Sequence, residues 1–223
     1  MKRRRAWIIG LAGMLLVGAG LALLLWHRST ESALDLLRIL PPQADLYAWA
    51  DLASLQGNPA VRRFLADPPE LSVEEDYQQF VEASGFRYQD DLRQITLAKL
   101  GSNWVGAARV TLNRSRILEY LANEATKKTE GAERAERTEE QGQAVFVFGQ
   151  ARPFRLALPG GDLAVFTIGE DSSLIGQALR RHSAAAADSG AAELTRGEDW
   201  QRVSEANGLW LVGRMDRLLS SDG

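Results

Sequence analysis

The chain has 223 residues, 45% of them hydrophobic and 25% charged, a composition typical of a folded globular protein. It contains no cysteine, which excludes disulfide bonds, thiolate metal sites and a cysteine nucleophile. Four of its 26 basic residues lie before residue 6, so the rest of the chain carries 22 basic against 29 acidic residues, a net charge of −7. This acidic balance argues against nucleic acid as a partner, since phosphates need a basic face.

The first part of the chain predicts a membrane anchor. The segment Trp7–Trp26 contains no charged residue and, as a helix, is long enough to cross the hydrocarbon of a bilayer. Trp7 and Trp26 stand at its two ends, where indole rings favour the membrane interface. The segment is longer than the apolar core of a signal peptide and lacks a small-residue cleavage site, which favours an uncleaved signal anchor.

The charges beside this segment predict its orientation. Only Arg28 follows it closely, whereas four basic residues precede it: Lys2, Arg3, Arg4 and Arg5. By the positive-inside rule the N-terminus is then cytoplasmic and the rest of the chain extracytoplasmic. The prediction is a single-pass protein of the bacterial inner membrane that contacts the lipid bilayer through residues 7–26. It has a basic tail at 1–6, a stalk at 27–44 and a folded domain at 45–223. Within the stalk, Glu31–Leu40 is predicted to be a short helix or stalk segment that ends at Pro41 and Pro42.

Strand-like and helical patterns alternate irregularly along that domain. In its first half they predict a strand at Leu46–Asp51, helices from Asn58 and from Ser72 to Gly85, a hairpin of Ile95–Leu100 with Trp104–Leu112, and a helix after Asn113. In its second half they predict strands at Ala144–Gly149, Phe154–Leu158 and Leu163–Ile168, a helix opened by Gly169, a helix around Trp200 and a strand at Leu209–Met215. Hairpins rather than regular strand–helix–strand units predict an α+β fold, with a mainly antiparallel sheet and helices on one face.

Two segments are predicted to lack regular structure. Residues 127–143 contain no large apolar side chain and their charges nearly cancel, so we interpret them as an exposed loop. Ser183–Ala192 is rich in small residues and resembles a linker. The last strand, from Leu209, is similar in sequence to the strand from Leu46. It either starts a second module near residue 208 or is a second strand of the same sheet.

No catalytic, cofactor-binding or metal-binding constellation is predicted. The two histidines, His27 and His182, lie far apart in the chain, which argues against a zinc site and against a serine–histidine triad. Neighbouring carboxylates at 90–91, 139–140 and 170–171 leave a carboxylate-dependent hydrolase as an alternative, which would require buried acids facing a cleft.

The first strand provides the candidate interaction surface. Tyr47 and Trp49 share one face of this strand, and smaller side chains share the other. Such a strand is either packed on both sides or open to a partner on one of them. The second alternative makes Tyr47 and Trp49 an interaction surface. With no chemistry predicted, it favours a non-catalytic domain without cofactor that binds an envelope protein or scaffolds an assembly. Binding of a small apolar ligand is the other alternative.

Two stretches resemble known proteins. Leu40–Asp51, with the sequence LPPQADLYAWAD, and Glu75–Leu92, with the sequence EDYQQFVEASGFRYQDDL, resemble uncharacterised bacterial envelope proteins. Those proteins have an N-terminal anchor and an extracytoplasmic α+β domain. The resemblance extends from the anchor to about residue 112, and it implies no assigned activity, so no functional residue is carried over.

Overall fold

A computed structural model describes residues 33–56, 58, 59, 63, 75–126, 136–150, 152–184, 188–196, 200 and 208–213. The chain divides into two compact units, Met1–Asp35 and Leu36–Gly223. The second unit contains an antiparallel sheet flanked by helices, which confirms the α+β fold.

Eight strands form this sheet, in the order β4-β5-β6-β7-β3-β2-β1-β8. The first meander, β1 to β3, joins the second, β4 to β7, through the pairing of β3 with β7, and β8 pairs with the outer side of β1. The strands are β1 (Leu46–Asp51), β2 (Leu92–Leu100), β3 (Asn103–Val110), β4 (Glu136–Glu140), β5 (Gln143–Phe148), β6 (Phe154–Gly160), β7 (Leu163–Ile168) and β8 (Leu209–Gly213).

Helices lie on both faces of the sheet. They are α1 (Leu52–Leu55), α2 (Glu75–Ser84), α3 (Tyr88–Asp91), α4 (Arg114–Thr126), α5 (Ser173–Ser183) and α6 (Gly190–Arg196). The face that carries Tyr47 and Trp49 is called the Trp49 face, and the face that carries Leu209 and Leu211 is called the Leu211 face. Successive residues of a strand point to opposite faces, so the strand registers assign the regularly paired residues to one of the two. The registers shift between Leu92 and Gln94 and between Ala157 and Gly160.

The prediction that helices pack on one face only is wrong. On the Leu211 face, Ile117 and Leu121 of α4 belong to one core cluster with Ala108 and Phe146 of the sheet. On the Trp49 face, α6 passes so close to Tyr47 that a β-carbon on Gly190 would lie 2.8 Å from its ring. The reason is visible in β3, where the four residues from 105 to 108 are all buried. A strand that is buried on both faces has a continuous apolar sequence instead of an alternating one.

The compact unit begins earlier than the predicted domain. Residues 33–37 are helical, and Leu36, Leu37 and Leu40 are among the fully buried side chains. Burial of three leucines is worth several kcal/mol, at roughly 1.5–3 kcal/mol each. Residues 36–44 therefore belong to the folded unit and not to a stalk.

Most predicted strands and helix ends are confirmed. The hairpin of β2 with β3 turns at Gly101, which has a φ of 55°. Gly85, with a φ of 73°, ends α2, and its amide donates to the carbonyl of Val81. Asn113 caps α4, because its side-chain oxygen accepts a hydrogen bond from the amide of Arg116 at 3.2 Å.

Two segments predicted to be irregular contain regular structure. Glu136–Glu140 of the predicted loop forms β4, which pairs with β5, and Gly190–Arg196 overlaps the predicted linker and forms α6. The loop prediction assumed that a segment which buries nothing has no structure. An exposed edge strand instead gains its order from backbone hydrogen bonds to one neighbour.

The last strand belongs to this sheet. β8 pairs antiparallel with β1 from Leu46↔Gly213 to Ala50↔Leu209, which favours two similar strands of one sheet over the start of a second module. The helix predicted from Asn58 lies almost entirely outside the described residues, and of the helix predicted around Trp200 only Trp200 itself, which is helical, is described.

The structure does not bear out the predicted single-pass transmembrane topology with a signal anchor. Over the ranges given above, the structure contains no helix that combines the length and the apolar character needed to cross a membrane. Trp7–Trp26, on which the prediction rested, lies outside the described residues, as do the basic residues before it. The extracytoplasmic placement of the domain stays a prediction.

Candidate functional site

Tyr47 and Trp49 do not form a free surface. Tyr47 is 3% exposed and Trp49 is 5% exposed, both within the folded unit. Trp49 lies directly opposite Trp210 of β8, and the two indoles stack with centroids 6.1 Å apart. The alternative of a face open to a partner at these two residues is therefore wrong, and they are part of a sheet packed on both sides.

Tyr47 forms the centre of a polar cluster between β1 and the segment before it. Its hydroxyl donates to the carbonyl of Pro41 at 2.9 Å and accepts from the amide of Ala44 at 3.2 Å. Burial, reinforced by the Glu193 carboxylate, raises the pKa of Tyr47 to about 12, against the opposing effect of the Ala44 amide. A hydroxyl engaged twice by backbone groups holds the chain at residues 41–44 and is not available for proton transfer at neutral pH.

A surface cleft of about 420 Å³ lies beyond the C-terminal end of α5. It is lined by Gln177, Arg180, Arg181, Ser183, Ala184 and Asp188. The Nε of Arg181 donates to the backbone carbonyl of Asp188 at 3.2 Å, and partial burial lowers the pKa of this guanidinium while the Asp188 carboxylate opposes the shift. Arg181 therefore links α5 to the segment before α6 through the Asp188 carbonyl. The Asp188 carboxylate offsets part of the positive charge of the cleft.

The described part of the chain contains no group of three potential metal ligands and no carboxylate among its buried side chains. Asp91 accepts from the amide of Arg87, and Asp171 accepts from the amide and hydroxyl of Ser173, so both act as local caps. His182 lies exposed in the last turn of α5. The hydrolase alternative requires two buried acids facing a cleft, and the described residues do not supply them.

The edge strand β8 carries the two exposed large hydrophobic residues of the described chain. Leu209 is 62% exposed and Leu211 is 66% exposed, and both lie on the Leu211 face. Their neighbours in β1 are Ala50 and Ala48, whose short side chains cannot shield a leucine beside them. Two leucines at alternate positions of an edge strand form an apolar strip in contact with water.

The backbone groups of β8 that no described strand pairs belong to Leu209, Leu211 and Gly213. The amide of Asp51 donates to the carbonyl of Gly208 at 2.7 Å, which makes this a hydrogen-bonded pair of the antiparallel ladder. Such pairs alternate along the ladder, so Trp210 and Val212 direct their backbone groups towards β1. Residues 209, 211 and 213 then direct their amides and carbonyls away from the sheet, and no strand among the described residues pairs with them.

A tryptophan cluster fixes β8 in place. Trp210 is 7% exposed, stacks on Trp49 and meets Trp200 edge-on at 6.3 Å. The strand begins after Gly208, whose φ of 99° is a conformation that other residues rarely adopt. The Trp49 face of β8 is therefore packed, whereas the described residues leave its Leu211 face exposed and its outer backbone without a paired strand.

The two edges of the sheet differ in charge. The outer strand at the other end, β4, has the sequence ERTEE, and four of its five residues are exposed. Charged side chains on an edge strand prevent another chain from pairing with it. β8 has the sequence LWLVG and no charge. Among the described strands, the sheet therefore has a charged outer edge at β4 and an uncharged outer edge at β8.

Sequence reasoning predicted β8 as a strand but did not select Leu209 and Leu211 as functional residues. The available signal was the apolar residue at every position from 209 to 212, which in an edge strand leaves one face without cover. Recognising that signal required the strand order, since the same sequence in a central strand would be fully buried.

No family model matches the chain, and no curated protein matches it. Among solved structures, crystal form III of TP0453 has a TM-score of 0.42 at 10% identity, covering 65% of this chain and 52% of that one. Crystal form IV of TP0453 has a TM-score of 0.41 at 11% identity and covers 68% of this chain and 55% of that one. The chain thus spans about half the length of the structures it matches.

Proposed function

We propose that this protein is a non-catalytic interaction domain that binds an extended segment of another protein along the free edge of β8. The single observation that supports the proposal is that backbone groups of β8 which no described strand pairs belong to the same residues, Leu209 and Leu211, whose side chains are exposed. Addition of a strand to a sheet edge uses this combination: main-chain hydrogen bonds provide affinity, and alternate side chains provide specificity.

The proposal explains why the exposed leucines are stable where they are. An uncovered apolar edge strand favours aggregation unless a partner normally occupies it. Burial of apolar area contributes roughly 25 cal/mol per Å², so covering two leucine side chains is worth about 2–4 kcal/mol before the cost of association. The bound segment is expected to be uncharged on the Leu211 face, because no described residue of β8 offers a charge to pair with one.

The test is a titration of the full chain with two synthetic peptides, followed through backbone amide resonances. One peptide alternates leucine with threonine over five residues, and the matched control replaces its leucines with glutamate. We expect the leucine peptide to shift the resonances of β8 and the glutamate peptide to leave them unchanged. Leu211→Lys should remove the response, since a lysine on an edge strand blocks pairing.

A control variant at the opposite edge makes the titration specific. Glu139→Lys changes an exposed residue of β4 and should leave the response at β8 intact. Equal shifts with both peptides, or an unchanged response in Leu211→Lys, would contradict the proposal. The circular dichroism spectrum of each variant should match that of the parent chain, because both substitutions are at exposed positions.

The two alternatives have less support. Binding of a small apolar ligand calls for a pocket lined mainly by hydrophobic side chains. The described cleft beside α5 is lined by two arginines, an aspartate and a glutamine. The hydrolase alternative has no buried acid among the described residues.

A further inference from the structure

We infer that the segment bound at this edge is β8 of a second copy of the chain, so that two sheets join across a two-fold axis into one. This inference rests on the proposed function and adds the identity of the partner. It follows from three properties of β8: the direction of its free backbone groups, the position of its leucines and the absence of charge.

Antiparallel self-pairing satisfies the free backbone groups of both copies. Leu209–Gly213 has five residues, so the register with complete overlap places Leu211 opposite Leu211 of the other copy. Residue 209 of each copy then lies opposite residue 213 of the other. These are the residues whose amides and carbonyls point outwards, so each opposed pair can exchange both of its hydrogen bonds.

The same register brings the exposed leucines together. A two-fold axis perpendicular to the sheet keeps the Leu211 face of one copy on the same side as that of the other. The two Leu211 side chains then lie directly opposite each other, and each Leu209 is diagonal to Leu211 of the other copy, within the 7–8 Å at which long side chains interact. The apolar strip of each copy thus gains a lateral contact with the same strip of its partner.

The charges at the sheet edges favour pairing of β8 with β8 over pairing of β8 with β4. If β8 of one copy paired with β4 of the next, an apolar strip would be placed against a strand in which Glu136, Arg137, Glu139 and Glu140 are charged. Such contacts bury charges without partners and are costly. Pairing of β8 with itself is closed, because it uses the open edge of each copy, and it yields a dimer and not a filament.

The experiment is site-specific cross-linking in the full chain. Because the chain has no cysteine, Leu211→Cys and Thr138→Cys each introduce a single thiol, one at each sheet edge. A short bis-maleimide should join two Leu211→Cys chains at least tenfold more efficiently than two Thr138→Cys chains. Leu209→Lys, added to the Leu211→Cys chain, should lower that yield at least tenfold. The Leu209→Lys arm distinguishes pairing at β8 from association through another part of the chain, because only the former depends on Leu209.

The outcomes separate this inference from the function on which it rests. Equal yields at the two edges, or a yield that Leu209→Lys does not lower, would overturn the two-fold pairing. If the leucine peptide still shifts β8 in that case, strand addition stands and the partner is a different protein. If neither experiment responds, both proposals are wrong. Five paired residues bury less than the roughly 1,200–2,000 Å² of a standard interface, so the association is expected to be weak. The cross-linking yield should therefore increase with protein concentration.

Discussion

Replacing Tyr47 with phenylalanine tests the packing of residues 41–44 against the sheet. The change removes one hydroxyl that donates to the carbonyl of Pro41 and accepts from the amide of Ala44, and it leaves the ring in place. Both backbone partners are buried. A net hydrogen bond is worth about 1 kcal/mol, and a buried partner left unpaired costs about 1–3 kcal/mol. We expect the free energy of unfolding at neutral pH to fall by about 2 kcal/mol, measured by urea denaturation.

The same variant tests the pH dependence of stability. Burial raises the pKa of Tyr47 from 10.0 to about 12 in the folded chain, so the unfolded chain loses this proton first as the pH rises. The stabilisation is fully present below pH 10 and is lost as the pH rises from about 10 to 12. Tyr47→Phe should lose less stability over this range than the parent chain. Equal stability at neutral pH and equal loss at alkaline pH would refute this account of the cluster.

Three further substitutions test the sheet and its helices. Gly106→Ala should lower the free energy of unfolding by about 1–3 kcal/mol in a urea titration, because its β-carbon would lie 2.6 and 2.7 Å from the two ε-carbons of the Phe166 ring. Trp210→Ala should cost about 3–5 kcal/mol by the same assay, and an unchanged midpoint would contradict its place in the core. Asn113→Ala should cost about 1 kcal/mol, seen as a lower midpoint of thermal unfolding, and Asn113→Asp should restore most of it, since it keeps an acceptor for the amide of Arg116.

The parts of the fold that the sequence predicts well are those decided by local chemistry. The strands β1, β5, β6 and β7 follow from short apolar runs, and their limits agree with the predicted ones to within two residues. The helix cap at Asn113 and the helix end at Gly85 follow from side chains and backbone conformations that act within a few residues. These features do not depend on which strand lies beside which.

The parts that the sequence did not predict depend on neighbours distant in the chain. β4 is charged at most of its positions, and it is a strand because the backbone of β5 lies beside it. Helices on both faces accompany burial of β3 between two layers. The sequence predicted this strand but did not show that both of its faces are covered by distant helices.

The candidate site was misplaced for a related reason. For Tyr47 and Trp49 the sequence left open whether their face is packed or open to a partner, because their cover comes from the distant α6 and from Trp210. Leu209 and Leu211 were not selected, and they are exposed while Trp210 of the same strand is buried against Trp49 and Trp200 on the other face. Exposure of a strand residue depends on strand order and on what packs over each face of the sheet, and the apolar pattern of a strand shows neither of them.

Residue-resolved hydrogen exchange of the β8 amides tests the central claim most directly. In dilute protein without a partner, the amides of Leu209 and Leu211 should exchange fast and that of Trp210 slowly, because only Trp210 donates towards β1. Addition of the leucine peptide, or an increase in protein concentration, should slow the two leucine amides at least tenfold and leave Trp210 unchanged. Leucine amides that are already protected in dilute protein, or that stay fast under both conditions, would contradict a binding edge at β8.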